Sequence, residues 1–100
     1  MAKYDFIAVY LLANRKMGTL YVGSTADLIT RMGQHKSGEG SVFTRKYGVT
    51  RLVWFDRFPE MPPALHAERR MKEWKRQWKI DLIEKSNPDW DDLTGSLTPY

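Results

Sequence analysis

The sequence predicts a small α+β domain in which three strands and three or four helices enclose one modest core. Apolar runs rich in β-branched and aromatic residues, typical of strands, fall at residues 4–13, 19–23 and 49–58. Segments with apolar residues three or four positions apart, typical of helices, follow the second and third runs. A chain of 100 residues forms one domain, here with a core over about 4–93 and a C-terminal tail over 94–100.

The first two strands are predicted to form a hairpin. After Asp5, residues 4–13 are apolar at both odd and even positions, which indicates a strand covered on both faces. Residues 14–18 are polar and end in glycine, as hairpin loops often do. The third strand is expected to alternate regularly between two sets, Leu52, Trp54 and Asp56 against Val53, Phe55 and Arg57.

The helices are predicted from their capping residues and from the spacing of their apolar residues. Ser24 or Thr25 is the expected N-cap of a helix that ends near residue 37, and Gly33 within it would mark close packing. Residues 42–48 form a short helix closed by Gly48. Residues 64–84 are helical, and the sequence leaves open a break near Lys75. The apolar face of this segment consists of Ala67, Met71, Trp74, Trp78 and Leu82.

The charge is strongly asymmetric. All 16 Lys and Arg residues and nine of the 12 acids lie at or before Lys85, so residues 1–85 carry a formal charge of +7. The last fifteen residues contain acids and no Lys or Arg. A basic domain of this size is a candidate for binding a polyanion, because phosphate neutralisation releases counterions. A merely solvated basic surface explains the charge equally well.

The chain contains no cysteine, which excludes disulfides, thiolate zinc sites and cysteine nucleophiles. Its N-terminus has an early acid and no long apolar stretch, so it does not resemble a signal peptide. No apolar run reaches the ~20 residues that cross a bilayer. We therefore expect a cytoplasmic protein without a membrane partner.

Five polar side chains are candidates for catalysis: Tyr10, Tyr21, Arg31, His35 and Glu68. The two tyrosines lie in matching strand patterns eleven positions apart, and the next helix carries Arg31 and His35 on one face. Two phenols, a guanidinium, an imidazole and a carboxylate suffice to bind a phosphodiester, hold one hard metal ion and activate a water.

Each of these residues also has a simpler explanation. Strand tyrosines are usually core residues with a hydrated hydroxyl, and Arg31 and His35 would be solvated on an exposed helix face. Glu68 borders an apolar face, where a carboxylate is costly unless it is paired or metal-bound. An ion pair with Lys72, four residues along the helix, would meet that need.

Basic side chains near these positions are candidate contacts to nucleic acid. Arg45 and Lys46 lie on the short helix, and a stripe of cations runs beside Trp74 and Trp78, which we assign to packing. The full set of candidate contacts is Lys36, Arg45, Lys46, Lys72, Lys75, Arg76 and Lys79.

The combination resembles the GIY-YIG nuclease superfamily. The two name-giving elements correspond to Ala8-Val9-Tyr10 and Tyr21-Val22-Gly23, and the match continues through Arg31, His35 and Glu68 to the segment 87–93. The chain looks most similar to the short stand-alone bacterial members, the YhbQ-like group, over roughly residues 4–93. Ala8, Val9 and Val22 differ from the residues of the family pattern. These differences affect packing and the backbone and leave the functional side chains unchanged.

The resemblance implies a three-stranded antiparallel sheet flanked by helices and a nuclease that hydrolyses DNA in repair or processing. It implies one divalent ion, Mg²⁺ or Mn²⁺, on Glu68, with Arg31 on the scissile phosphate and Tyr10 or Tyr21 on the attacking water. His35 would assist proton transfer or bind a phosphate. Gly23 and Asn87 would support the site, Asn87 at the metal or in a backbone turn.

Two other functions remain open on the sequence. The chain could be a nucleic-acid-binding module with weak or no catalysis, since its basic surface serves binding alone. It could also be a subunit of a larger DNA-processing assembly or self-associate, because it has no added target-reading domain. The sequence does not separate DNA from RNA as the bound nucleic acid.

Overall fold

Three antiparallel strands form the centre of the molecule. The structure, a computed structural model, describes residues 6–98, and its strands are β1 (Ala8–Ala13), β2 (Leu20–Thr25) and β3 (Arg51–Arg57) in the order β2-β1-β3. The helices are α1 (Leu28–Lys36), α2 (Val42–Tyr47), α3 (Met61–Lys72) and α4 (Arg76–Ser86), followed by a short 3-10 helix (Leu93–Ser96). The predicted α+β class and antiparallel sheet are confirmed. Residues 4–5 of the predicted first strand and 99–100 of the tail lie outside the described residues.

The central strand β1 is covered on both faces, as its uninterrupted apolar sequence predicted. All six of its residues are buried. Alternate residues, including Tyr10, join a core cluster with α1, and the intervening ones join a second cluster with α3 and α4. Because side chains alternate along a strand, the sheet separates two layers of helices.

The regular alternation expected for β3 is wrong. The register with β1 shifts between Leu11 and Leu12, so Val53 is an extra residue without a partner in β1. As a result Val53 and Trp54 pack on the same face, while Leu52 pairs on the other. An added residue of this kind is a β-bulge, which a period-two pattern cannot anticipate.

The predicted N-cap of α1 is also wrong. Thr25 still pairs with Ala8, so β2 extends beyond its expected end. Asp27 caps the helix instead and accepts a hydrogen bond from the Thr30 backbone N–H. Inside α1, Gly33 is exposed, and a Cβ added there would meet nothing within 4 Å, so it marks no close packing.

The long helical segment is broken, which resolves the alternative left open near Lys75. Glu73 is the C-cap of α3 and Lys75 is the N-cap of α4, so the apolar face is not continuous. Trp74 packs against the core, whereas Trp78 is 53% exposed, and its assignment to packing is wrong. In residues 6–98 no helix has the length and apolar character needed to cross a membrane.

The C-terminal segment is anchored as far as it is described. Leu93 and Leu97, at either end of the 3-10 helix, pack against the core cluster on the α1 side of the sheet. Asp92 caps this helix and forms an ion pair with Lys36 over 2.5 Å. The segment therefore closes the layer that also contains the two tyrosines.

Candidate active site

Tyr10 and Tyr21 meet on the α1 side of the sheet because of the strand register. Tyr10 pairs with Gly23, which has no side chain, and Tyr21 lies two residues away on the same face of β2. The two rings are 6.3 Å apart between centroids. A Cβ at position 23 would lie 2.6 Å from the Tyr10 hydroxyl oxygen. Glycine at this position therefore makes the room that Tyr10 occupies.

His35 joins the tyrosines from α1. Its ring centroid lies 5.9 Å from each of the two tyrosine rings. The residue is only 1% exposed, so it is a buried histidine and not a solvated side chain on a helix face. Its Nε2 lies 3.1 Å from the Tyr10 hydroxyl and its Nδ1 lies 3.2 Å from the Thr44 hydroxyl.

Thr44 was missed by the sequence reasoning, although it completes this hydrogen-bonded chain. It is the buried residue of α2, and its hydroxyl donates to the Ser41 carbonyl over 3.0 Å. Ser41 caps the same helix through the Thr44 N–H. The only sequence signal was a serine cap followed three residues later by a small hydroxyl residue, which is common at helix starts.

A second glycine shapes the site from the loop before α2. A Cβ at position 40 would lie 2.3 Å from His35 Nδ1. The loop before α2 therefore contacts the histidine closely. A side chain at this position would displace the ring from its hydrogen bond with Thr44.

Arg31 lies one helical turn before His35, its guanidinium donates to Gln34 Oε1 over 3.0 Å, and its charge acts on Tyr10 and His35. The Thr44 hydroxyl already donates to the Ser41 carbonyl, which leaves it as the acceptor toward His35, so Nε2 of the ring accepts from the Tyr10 hydroxyl. His35 then donates from Nδ1 to Thr44. The proton directions thus run consistently from Tyr10 through His35 and Thr44 to the Ser41 carbonyl.

The protonation states follow from burial. Burial raises the pKa of Tyr10 to about 12, although hydrogen bonding with Arg31 acts in the opposite direction. Burial, together with the positive charge of Arg31, lowers the pKa of His35 to about 4. At neutral pH the phenol is therefore protonated and the imidazole is neutral, while the Tyr10 hydroxyl raises the pKa of Arg31.

Glu68 approaches from the opposite helix layer. It lies on α3, and its carboxylate accepts hydrogen bonds from the Ser24 hydroxyl at the edge strand β2 and from Lys72. Burial alone would raise the pKa of Glu68, but the hydrogen bonds from Lys72 and Ser24 lower it below its usual range. The ion pair with Lys72, which the sequence left open, is present with 2.5 Å between the charged atoms.

The other candidate cations are spread over several surfaces. Arg45 and Lys46 are exposed on α2, beside the tyrosines. Lys36 pairs with Asp92 and also donates to the Thr50 carbonyl. Lys75, Arg76 and Lys79 cluster at the start of α4, where Arg76 donates to carbonyls of the β1–β2 loop and burial lowers the pKa of Lys79.

Asn87 stabilises a turn and is not part of the cluster around Tyr10 and Tyr21. Its amide donates to the carbonyls of Val53 and Asp91, and its side-chain oxygen accepts from the Asp91 N–H. The carbonyl of the bulged residue is thus satisfied by a side chain. Among residues 6–98 no cluster of three or more His, Asp or Glu side chains is arranged to hold a metal ion.

Comparison with known proteins assigns most of the chain to one family. The model of the GIY-YIG catalytic domain matches residues 6–81. A UPF0213 protein of Pediococcus pentosaceus is 34% identical over 68 residues, which is 68% of this chain and 72% of the relative. A UPF0213 protein of Halalkalibacterium halodurans is 34% identical over 90 residues, covering 90% and 95% of the two chains.

A solved structure extends the likeness to three dimensions. The solution NMR structure of a UPF0213 protein from Bacillus halodurans is 33% identical and has a TM-score of 0.53. The match covers 92% of this chain and 97% of that one. On the family match over most of its length, the chain belongs to the GIY-YIG family, alongside the UPF0213 proteins.

Proposed function

We propose that this protein is a divalent-metal-dependent DNA endonuclease that acts in DNA repair or processing. The observation that carries the proposal is the convergence of Arg31 with two phenols and a neutral buried imidazole, beside an ionised carboxylate on the next layer. Membership of a family described by its catalytic domain supports the same conclusion. The basic surface of residues 1–85 suits a polyanionic substrate.

Arg31 binds the scissile phosphate in this proposal. Its guanidinium is permanently charged, lies one helical turn from His35 and donates to Gln34 Oε1 over 3.0 Å. Tyr10 is buried and strongly protonated, with its proton committed to His35. We therefore assign Tyr10, His35 and Thr44 to positioning Arg31, and the partly exposed Tyr21 to orienting the attacking water.

Glu68 is the residue that would hold a metal ion. Mg²⁺ retains several waters and is commonly bound by one or two carboxylates together with substrate phosphates, so a single ionised carboxylate fits. Lys72 occupies one carboxylate oxygen from an exposed position, from which its side chain can rotate away. When bound, Mg²⁺ or Mn²⁺ supplies charge neutralisation at the leaving oxygen.

Cleavage of labelled DNA in Mg²⁺, Mn²⁺ or EDTA tests the proposal. Wild type should cleave only with metal, and Glu68→Gln should lose about 100-fold or more in rate, since metal stabilisation of the transition state is worth several kcal/mol. Glu73→Gln is the matched control. It makes the same change at an exposed glutamate just beyond α3 and should retain activity. Full activity of Glu68→Gln would remove Glu68 from the mechanism.

A binding module without catalysis is the second candidate, and one observation favours it. Both carboxylate oxygens of Glu68 already have partners in Ser24 and Lys72. Salt-sensitive DNA binding without cleavage in any metal would support this function. If the wild type cleaves DNA, Arg31→Ala tests the role of Arg31, because a transition-state role lowers cleavage far more than affinity, whereas a binding role lowers both equally.

A further inference from the structure

A row of aromatic rings leads from the candidate site onto the protein surface. Tyr21 stacks on Phe43 with 6.1 Å between ring centroids and 26° between planes, and Phe43 contacts Tyr47 at 4.9 Å. Phe43 and Tyr47 are four residues apart and share one face of α2. They are 41% and 48% exposed, so their rings offer apolar surface directly beside Tyr21.

The platform that carries these rings is fixed in place. A helix of six residues is too short to be stable alone. Here Ser41 caps its start, Gly48 ends it in the left-handed conformation, and Thr44 anchors its buried face to His35. The exposed rings are thus held at a set position relative to the phenols and do not belong to a loose loop.

The charge around the rings indicates what they contact. The helix contains Arg45 and Lys46 and no acid, and Lys46 lies 5.4 Å from the Tyr47 ring centroid. Exposed aromatic faces flanked by cations suit nucleobases attached to a phosphate backbone. In a continuous duplex the base faces are stacked on each other, so only an unpaired base can present its face to a ring.

We propose that Phe43 and Tyr47 form a stacking site for an unpaired nucleobase next to the scissile phosphate. The preferred substrate is then DNA with a single-stranded segment at the cleavage position, and Arg45 and Lys46 bind its backbone. This inference rests on the proposed nuclease function, since it places the base relative to the phosphate bound by Arg31. It adds a specificity determinant that lies outside the catalytic group.

Binding in EDTA tests the stacking site separately from catalysis. The probes are a blunt duplex and the same duplex with a single-stranded overhang carrying 2-aminopurine as its first unpaired base. Wild type should bind the overhang probe about 5- to 150-fold more tightly, because base stacking is worth about 1–3 kcal/mol, and should quench 2-aminopurine. Phe43→Leu and Tyr47→Leu should each reduce this preference while leaving duplex affinity within about twofold, because phosphate contacts dominate duplex binding.

Trp78→Leu provides the control, since it removes an equally exposed aromatic ring on the far helix layer. It should retain the full preference for the overhang. Equal affinity of wild type for both probes, or a preference that survives in both variants, would overturn the stacking site. If Phe43→Leu also disturbs Tyr21, Tyr47→Leu still tests the stacking site, because the ring of Tyr47 contacts Phe43, which in turn stacks on Tyr21.

The same probes with Mg²⁺ separate this inference from the proposed function. Cleavage of both probes at equal rates would refute the stacking site and leave the nuclease proposal intact. A binding preference without cleavage of either probe would refute the nuclease proposal and leave the stacking site as a recognition element. Absence of binding to both probes at low salt would overturn both.

Discussion

Acidification to about pH 5 is expected to destabilise this fold through His35. The pKa of the buried imidazole is about 4, against an ordinary value of 6.5. As the pH falls below 6.5 the unfolded chain binds a proton at this histidine, whereas the folded chain does not until about pH 4. Protonation in this window therefore favours the unfolded state.

The magnitude follows from the two pKa values. A tenfold difference in proton affinity is worth about 1.4 kcal/mol, so the full cost below pH 4 approaches ~3 kcal/mol. About 2 kcal/mol of this cost should be present at about pH 5. The charged group that acts on the ring is Arg31, and burial keeps the phenol of Tyr10, with a pKa of about 12, neutral over this range.

The two acids whose pKa values are lowered, Glu68 and Asp92, do not obscure this effect at pH 5. The hydrogen bond and charge of Lys36 and the hydrogen bonds of Thr94 outweigh burial and lower the pKa of Asp92 to about 2. Its stabilising contribution is present above its unfolded value of 3.8 and is lost as the pH falls through about 2. The window between about pH 7.5 and 5 therefore isolates His35.

Urea unfolding followed by tryptophan fluorescence between about pH 7.5 and 5 measures the effect. His35→Gln cannot titrate and should show a nearly flat free energy of unfolding over this range, even though it starts lower. His66→Gln removes the exposed histidine of α3 and should retain the wild-type drop. A flat wild-type profile, or an undiminished drop in His35→Gln, would refute the assignment of a neutral buried imidazole.

Three further substitutions test the supporting contacts. Thr44→Val leaves a buried nitrogen of His35 without its partner, and we expect urea unfolding to show a loss of about 1–3 kcal/mol together with slower cleavage. Gly23→Ala places a methyl group 2.6 Å from the Tyr10 hydroxyl, so a loss of about 1–3 kcal/mol and at least about tenfold slower cleavage are expected. Asn87→Ala frees the Val53 carbonyl and should cost about 2–3 kcal/mol while cleavage per folded molecule is unchanged.

Matched variants separate these effects from general damage. Thr44→Ser keeps the hydroxyl and should restore most of the activity lost in Thr44→Val. Gly33→Ala, at an exposed helix position with open space around it, should stabilise the protein by about 1 kcal/mol. A loss of stability in Gly33→Ala as large as that in Gly23→Ala would contradict the steric argument. Impaired cleavage by folded Asn87→Ala would mean that Asn87 contributes to the site.

The elements of the fold could be predicted because each is dictated by short-range physics. The apolar runs of the strands, the glycine that closes α2 and the spacing in α3 and α4 all act within a few residues. The bulge at Val53 could not be predicted, since it is a property of the pairing between β3 and β1. The cap of α1 was misplaced because pairing with Ala8 extends β2 through Thr25.

The sequence by itself determined the candidate residues of the site, since the spacings of Tyr10, Tyr21, Arg31, His35 and Glu68 resemble those of a known family. Only the tertiary structure decided their surroundings. Burial of His35 and its hydrogen bond to Thr44 depend on α2 folding against α1, and the partners of Glu68 depend on the meeting of α3 with β2. Protonation and exposure arise from such long-range packing, which no local pattern encodes.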